Sequence, residues 1–288
     1  MITFNKILFP VDFSDRSTAA APFVLSLAQR YAAEVVLLHA FEPMPPIYGG
    51  MYAMYPETYD FSALEAELRP KLVEFANSEL PKVNSLCVVK LGSPATVITE
   101  YAEANGTNLI AMPTHGYGPF RRALLGSVTA KVLHDAKIAV WTDAHAPEPS
   151  HRAHPKPRHI LAALDRKPES LQTLEIALQL GRDSGATVEI VHAAPEGEVA
   201  PLHSEALIEE LVAEAARHQS VTVQTQTEVE VDQVVNRGSV AKLIRTVALR
   251  RRSDLIVIGR GAIQGTLCQL RANTYAIIRE APCPVLSV

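Results

Sequence analysis

Glycines and a serine in the first half of the chain have the spacing of a phosphate-binding loop. Gly116 is followed, after nine residues, by Gly126-Ser127, and Gly118 lies between them. Glycines let backbone N–H groups approach a ligand closely. A helix that opens after Gly126-Ser127, at Val128, would also offer unpaired N–H groups and a partial positive charge to a phosphate. A tight turn with an ordinary serine cap explains the same spacing about equally well.

A carboxylate, Asp12, ends the first apolar run of the chain, Lys6–Asp12, directly after Pro10-Val11. It could accept a hydrogen bond from a ribose hydroxyl or a base amine. Because Ser14 and a helical segment follow, Asp12 could also be a helix N-cap, and taken alone it favours the cap.

Catalysis has little support in the sequence. We find no phosphate-binding Gly-x4-Gly-Lys-Ser/Thr loop, no His-Glu-x-x-His and no Gly-x-Ser-x-Gly. His39 and His192 end equivalent apolar runs, where a hydrogen-bonded structural histidine is the expected role. We therefore expect no catalytic residues and weak enzymatic activity at most.

An internal repeat organises the chain. Lys6–Asp12 and Val36–Ala40 recur 153 residues later, and Asn108–Met112 recurs 146 residues later. In each copy, short Val/Ile/Leu runs alternate with amphipathic segments, which predicts parallel strands buried on both faces and connected by helices. The fold class is therefore α/β, with two tandem, doubly wound, Rossmann-like domains related by duplication. Ligands of such sheets bind beyond the carboxyl ends of the strands. The strands predicted in the first copy are Lys6–Asp12, Glu34–Phe41, Leu86–Lys90, Asn108–Pro113 and Lys137–Thr142, and the helices are Ser17–Tyr31, Phe61–Leu80 and Pro94–Ala104.

Composition and charge limit the number of domains and the classes of partner. The chain has 288 residues, 48% of them hydrophobic, 3 dispersed cysteines and a formal net charge of −4. We predict domains at 1–143 and 158–288, joined by a proline-rich linker at 144–157 whose histidines are better explained as solvated than as metal ligands. With neither half basic, no apolar membrane span and no signal peptide, we expect a cytoplasmic protein with neither nucleic acid nor membrane as a partner.

Residues 42–60 form extra chain in the first copy, rich in tyrosine and methionine. Long loops in compact domains are often functional, so the segment is either a partner or nucleotide surface or a flap on its own domain.

The repeated pattern resembles the universal stress proteins. Ile7–Asp12, Val36–Ala40 and Gly116-x9-Gly126-Ser127 carry the resemblance, which covers nearly both copies. It implies an adenine nucleotide, ATP or AMP, with or without Mg²⁺, in the first domain. It also implies a stress-response regulatory function and pairing of the final strands, Lys137–Thr142 and Pro284–Val288, within the chain. By resemblance, the nucleotide-binding positions are Pro10, Asp12, Ala40, Met112, Pro113, His115, Gly116, Gly126, Ser127 and Val128.

Two departures from the family pattern matter. The family's full motif is Gly-x2-Gly-x9-Gly-Ser/Thr, and Pro113, which lacks an N–H group, stands at the place of its first glycine. In the second copy, Arg271-Ala272 stands where the first has Gly126-Ser127. We therefore predict that the second domain keeps the fold and has lost nucleotide binding. The alternative function is a nucleotide-independent protein-interaction scaffold that retains only the fold. The possible partners are a second copy of the chain in a homo-oligomer or another protein bound through residues 42–60.

Overall fold

The structure is a computed structural model. It describes residues 4–42, 47–48, 51–52, 61–114, 125–142, 156–164, 170–192, 229–233, 240–260 and 267–288. These residues form two compact units, one within residues 3–138 and the other containing residues 139–288.

The first unit is a parallel sheet with helical crossovers. In chain order its elements are β1 (Lys6–Pro10), α1 (Asp15–Tyr31), β2 (Glu34–Phe41), β3 (Ile47–Tyr48), β4 (Met51–Tyr52), α2 (Ser62–Glu79), β5 (Ser85–Leu91), α3 (Pro94–Ala104), β6 (Leu109–Met112) and α4 (Ser127–Asp135). The sheet order within this unit is β6-β1-β2-β5, and every pair is parallel. The strand order therefore reverses between β1 and β6, which in doubly wound sheets opens a crevice at the carboxyl edge.

Apolar runs form the centre of this sheet, as the sequence predicts. The middle residues of β1, the first half of β2 and all of β6 are buried, whereas β5, at the edge of the unit's sheet, is exposed at both ends. Strands covered on both faces need such continuous Val, Ile and Leu runs. The predicted parallel α/β fold is confirmed.

The second unit repeats this architecture. Its elements are β7 (Ala139–Thr142), β8 (His159–Leu164), α5 (Ser170–Ser184), β9 (Thr187–His192), β10 (Val229–Gln233), α6 (Val240–Arg251), β11 (Leu255–Ile258), α7 (Leu267–Glu280) and β12 (Val285–Ser287). The order β10-β9-β8-β11-β12 is parallel throughout, and β7 adds to it antiparallel to β12.

The pairing of β7 with β12 joins the final strands of the two repeats, as the family resemblance implies. Leu286 lies opposite Trp141. Thr142 Oγ1 donates to the Val285 carbonyl over 3.2 Å, and Ser287 Oγ donates to the Val140 carbonyl over 3.1 Å. Both hydroxyls are buried, so these hydrogen bonds satisfy polar atoms that would otherwise be costly inside the sheet.

Several predicted boundaries shift. The strand β1 ends at Pro10 rather than Asp12, β7 begins at Ala139 rather than Lys137, and α4 begins at Ser127 rather than Val128. Within 42–60 the structure describes Glu42 and a small antiparallel pair, β3 with β4, and the other residues of this segment lie outside the described residues. No helix in the described part of the chain is long and apolar enough to cross a membrane.

Candidate functional site

The carboxyl ends of three neighbouring strands bring the first group of predicted residues together. Pro10 pairs with Leu38 across β1 and β2, and Leu8 pairs with Ile110 across β1 and β6. Continuing each register by two residues brings Asp12 level with Ala40, and Pro10 level with Met112. Met112 is buried, while Pro10, Ala40 and Pro113 are half-buried and Asp12 is exposed. These five residues therefore line one edge of the sheet at the crevice.

Hydrogen bonds hold the Asp12 side chain at the start of α1. Its Oδ1 accepts from Ser14 N over 3.0 Å, from Ser14 Oγ over 2.5 Å and from Ser17 Oγ over 2.6 Å. The N-cap itself is Ser14, whose Oγ accepts from Ser17 N over 3.3 Å. The interpretation of Asp12 as the cap is therefore wrong: Asp12 orients the capping serine, and its exposed carboxylate stays at the sheet edge.

The residue after Asp12 packs against the neighbouring strand. Phe13 has a φ of 58°, the left-handed region that non-glycine residues rarely adopt. Its ring lies 4.6 Å from the His39 ring, centroid to centroid. His39 Nδ1 lies 2.7 Å from the Val11 carbonyl oxygen and must carry the proton, because a carbonyl only accepts. His39 therefore has the structural role predicted for it, and it fixes the turn that carries Asp12.

The N-terminus of α4 faces the same edge. Gly126 N donates to the Thr114 carbonyl over 3.0 Å, and Thr129 Oγ1 donates to the Pro113 carbonyl over 3.1 Å. These two bonds tie the beginning of the helix to the end of β6. The first backbone hydrogen bond within α4 runs from Ala130 N to Gly126 O, so the preceding N–H groups, including those of Ser127 and Val128, lie at the helix end.

The cap of α4 makes it suitable for an anion. Gly126 is the N-cap, with φ −58° and ψ 141°, and within this described stretch no side chain caps the helix. The helix dipole places partial positive charge at this end. A phosphate could therefore accept hydrogen bonds from backbone N–H groups. In many proteins these groups donate to the side chain of a capping serine or aspartate instead.

Two predicted residues, His115 and Gly116, lie outside the described residues. The other eight are in two groups, the strand ends and the α4 N-terminus, joined through Pro113 and Thr114. Among the residues that the structure describes, no group of three or more histidine, cysteine or acidic side chains could hold a metal ion.

The equivalent region of the second domain differs in its backbone. There α7 begins at Leu267, so Arg271 and Ala272 lie inside the helix. Their N–H groups are directed to carbonyls four residues earlier, as in any α-helix, and do not face a ligand. Residues 259–266, which connect β11 to α7, are fewer than residues 113–126, which connect β6 to α4. The N-terminus of α7 therefore comes sooner after its strand than the N-terminus of α4 does.

The stretch between β11 and α7 of the second domain also contains a cation. Arg260 corresponds to Thr114 and is half-buried, and burial lowers its pKa to about 10. Its backbone N donates to the Val288 carbonyl over 2.8 Å.

Sequence reasoning missed Ser17 and Thr129 as supports of the site. Ser17 and Thr129 are buried and use their hydroxyls within it. The spacing Asp12-x-Ser14-x-x-Ser17 is the signal that could have shown the first support. Thr129 carries no such signal, because its partner is a backbone carbonyl of residue 113, sixteen positions earlier.

The fold and this edge define a class: a duplicated, doubly wound α/β protein whose first domain presents a carboxylate and a helix N-terminus at one crevice. A sequence profile of the universal stress protein family matches residues 3–142 and 156–288. The chain therefore belongs to the universal stress protein family.

Individual relatives match one domain each or the whole duplicated fold. The universal stress protein MJ0577 of Methanocaldococcus jannaschii is 28% identical over 46% of this chain and 90% of its own length. A universal stress protein of Thermus aquaticus is 30% identical over 48% of this chain and 96% of its own length. A crystal structure of a universal stress protein from Archaeoglobus fulgidus covers 98% of this chain and 95% of that chain, with a TM-score of 0.70 and 19% identity. This last likeness shows the fold.

Proposed function

We propose that the first domain binds an adenine nucleotide, ATP or AMP, with or without Mg²⁺, and that the bound nucleotide regulates the protein in a stress response. The observation that carries the proposal is the glycine-capped N-terminus of α4, tied by Gly126 to the end of β6 beside the Asp12 turn. The proposed binding residues are the ten positions that the family resemblance implies: Pro10, Asp12, Ala40, Met112, Pro113, His115, Gly116, Gly126, Ser127 and Val128.

The two groups suit opposite ends of a nucleotide. The backbone N–H groups of Ser127 and Val128 suit the phosphates, since they are donors in a positive potential. The N–H of Gly126 donates to the Thr114 carbonyl, so Gly126 would contribute by its lack of a side chain, which lets a phosphate approach the backbone closely. The exposed Asp12 carboxylate suits donors of the adenosine, and Ala40 would offer backbone to the adenine. Pro113 offers no N–H group, but its carbonyl binds Thr129 and fixes the helix start. We expect hydrolysis of the bound nucleotide to be slow or absent.

Release of bound nucleotide and titration of the emptied protein test the proposal. The purified chain is denatured, the released nucleotide is identified by chromatography, and the apo protein is titrated with ATP in a calorimeter. We expect about one nucleotide per chain. Gly126→Arg should weaken binding by about 100-fold or more, because charge-assisted hydrogen bonds of ~1.5–3 kcal/mol each are lost.

A matched control uses the same substitution at another glycine of the same domain. Gly106 lies past the C-terminal end of α3, and a Cβ there meets nothing within 4 Å. Its φ of 65° makes an arginine there strained by about 1 kcal/mol, as at the equivalent Arg252, so Gly106→Arg should lower stability slightly and leave ATP affinity unchanged. No binding at millimolar ATP would overturn the proposal and favour the nucleotide-independent scaffold. Two nucleotides per chain would show that the second domain also binds.

A further inference from the structure

The helix α6 of the second domain has an unusual charge for a protein of net charge −4. Residues 242–254 contain five cations and one carboxylate, whereas the equivalent stretch of the first domain, residues 96–108, contains two carboxylates and no cation. The cations are Lys242, Arg245, Arg250, Arg251 and Arg252. Arg251 pairs with the buried Glu189 over 3.4 Å. The other four cations still give this helix and its C-terminal end a surface charge opposite to that of the equivalent stretch in the first domain.

Three of these cations lie with an exposed leucine along one side of α6 and at its C-terminal end. Lys242, Arg245 and Leu249 follow helical spacing, Arg252 comes directly after the last residue of α6, and all four are exposed. Leu249 is 51% exposed, although the other apolar residues of the helix, such as Leu243 and Val247, are buried. We call these four residues the basic face.

A further arginine lies beside the end of this face. Arg158 N donates to Asp254 Oδ2 over 2.7 Å, and Asp254 N donates to the His159 carbonyl over 2.8 Å. Because Asp254 comes two residues after Arg252, the exposed Arg158 is a neighbour of the basic face. The same Asp254 Oδ2 also accepts from His159 N over 3.1 Å.

Arg252 stands where a glycine would be more stable. Its φ is 54°, and Ser253 N donates to the Ala248 carbonyl over 2.9 Å, as in a helix end of the Schellman type. The equivalent residue of the first domain is Gly106, with a φ of 65°. Left-handed backbone disfavours side chains with a Cβ. Local strain of this kind is often associated with function, and here the strained residue is an exposed cation.

We propose that the basic face of α6, with Arg158, docks an acidic peptide segment of a partner protein. Arginines bind carboxylates in bidentate geometry and are enriched at protein interfaces. Leu249 would meet an apolar side chain of the same segment. A nucleic acid fits less well, because residues 242–254 contain no aromatic side chain for stacking and the chain as a whole is negative. This inference does not depend on the proposed nucleotide site.

Fluorescence anisotropy with the full chain tests the proposal. The probe is a short fluorescein-labelled peptide of glutamates and leucines. Comparison peptides carry glutamine for glutamate or alanine for leucine, and random duplex DNA and phosphatidylserine vesicles stand for the other polyanions. We expect saturable peptide binding that weakens with salt, and about 10-fold weaker binding of the glutamine peptide or by an Arg245→Glu/Arg252→Glu variant.

Arg252→Gly separates docking from folding. It should raise the melting temperature by about 2 °C, since it removes backbone strain, and weaken peptide binding about 2–5-fold, the range for one exposed ion pair. Lys71→Glu, an exposed charge reversal on α2 of the first domain, should leave binding unchanged. The proposal is overturned by no saturable binding at millimolar peptide, by equal binding of the glutamine peptide, by tighter binding of DNA or vesicles, or by an Arg252→Gly variant of unaltered affinity.

Discussion

The fourth strands of the two domains, β6 and β11, are equivalent in sequence and position, but the helices that follow them begin at different places. In the first domain α4 begins at Ser127, capped by Gly126. In the second, α7 begins at Leu267, five residues before Ala272, the position that corresponds to Ser127. The two strands have the same apolar character because both form the core of their domain. The place where the next helix begins determines which backbone N–H groups are available to a ligand.

This difference separates the requirements of folding from those of a ligand site. The strands β6 and β11 are each four buried apolar residues, and β1 and β8 supply the neighbours that they need. Such a core tolerates any loop of sufficient length between strand and helix. A phosphate site needs N–H groups at one place, so a change of helix start can remove it without altering the sheet.

The strongest test of the comparison exchanges the whole stretch. Replacing residues 259–272 by residues 113–127 should place a glycine-capped helix start at the second sheet edge. ATP stoichiometry, measured by calorimetry, should then increase from about one to about two per chain, a gain in affinity of about 100-fold or more at the second domain.

The matched variant for this exchange changes only two side chains. Arg271→Gly with Ala272→Ser restores the residues of the motif but leaves α7 beginning at Leu267, so we expect it to add no site. A second nucleotide in this double variant would contradict the backbone explanation and show that the arginine side chain alone blocks the domain.

The two strands and the start of α4 could be predicted from the sequence, but the different start of α7 could not. The apolar runs ending at Met112 and Ile258 predict β6 and β11, and the glycine spacing predicts the α4 start to within one residue. The sequence did not show that α7 begins before Arg271, because helix ends depend on which side chains pack against the sheet. Nor did it show the role of Ser17, because the cap of α1 depends on the exact turn at Asp12 and Phe13.

A second test concerns the Asp12 turn. Asp12→Ala removes the acceptor for Ser14 N, Ser14 Oγ and Ser17 Oγ, and should lower the free energy of unfolding by about 2 kcal/mol without nucleotide present. Asp12→Asn keeps an oxygen acceptor at the same place and should cost about 1 kcal/mol or less. Hydrogen exchange of the first turn of α1 measures both. Equal protection in wild type and Asp12→Ala would contradict the role of Asp12 in orienting the cap.

The smallest expected effects come from two equivalent helix ends that use different residues. Ala32 follows α1 with a φ of 49°, and Gly185, 153 residues later, follows α5 with a φ of 68°. Because only glycine adopts this region without strain, Ala32→Gly should stabilise the first domain and Gly185→Ala should destabilise the second, each by about 1 kcal/mol. Hydrogen exchange of α1 reports the first change. The fluorescence of Trp141, the only tryptophan, reports the second during urea unfolding, because Trp141 lies in that unit. If both substitutions shift stability in the same direction, the left-handed backbone is not what distinguishes the two ends.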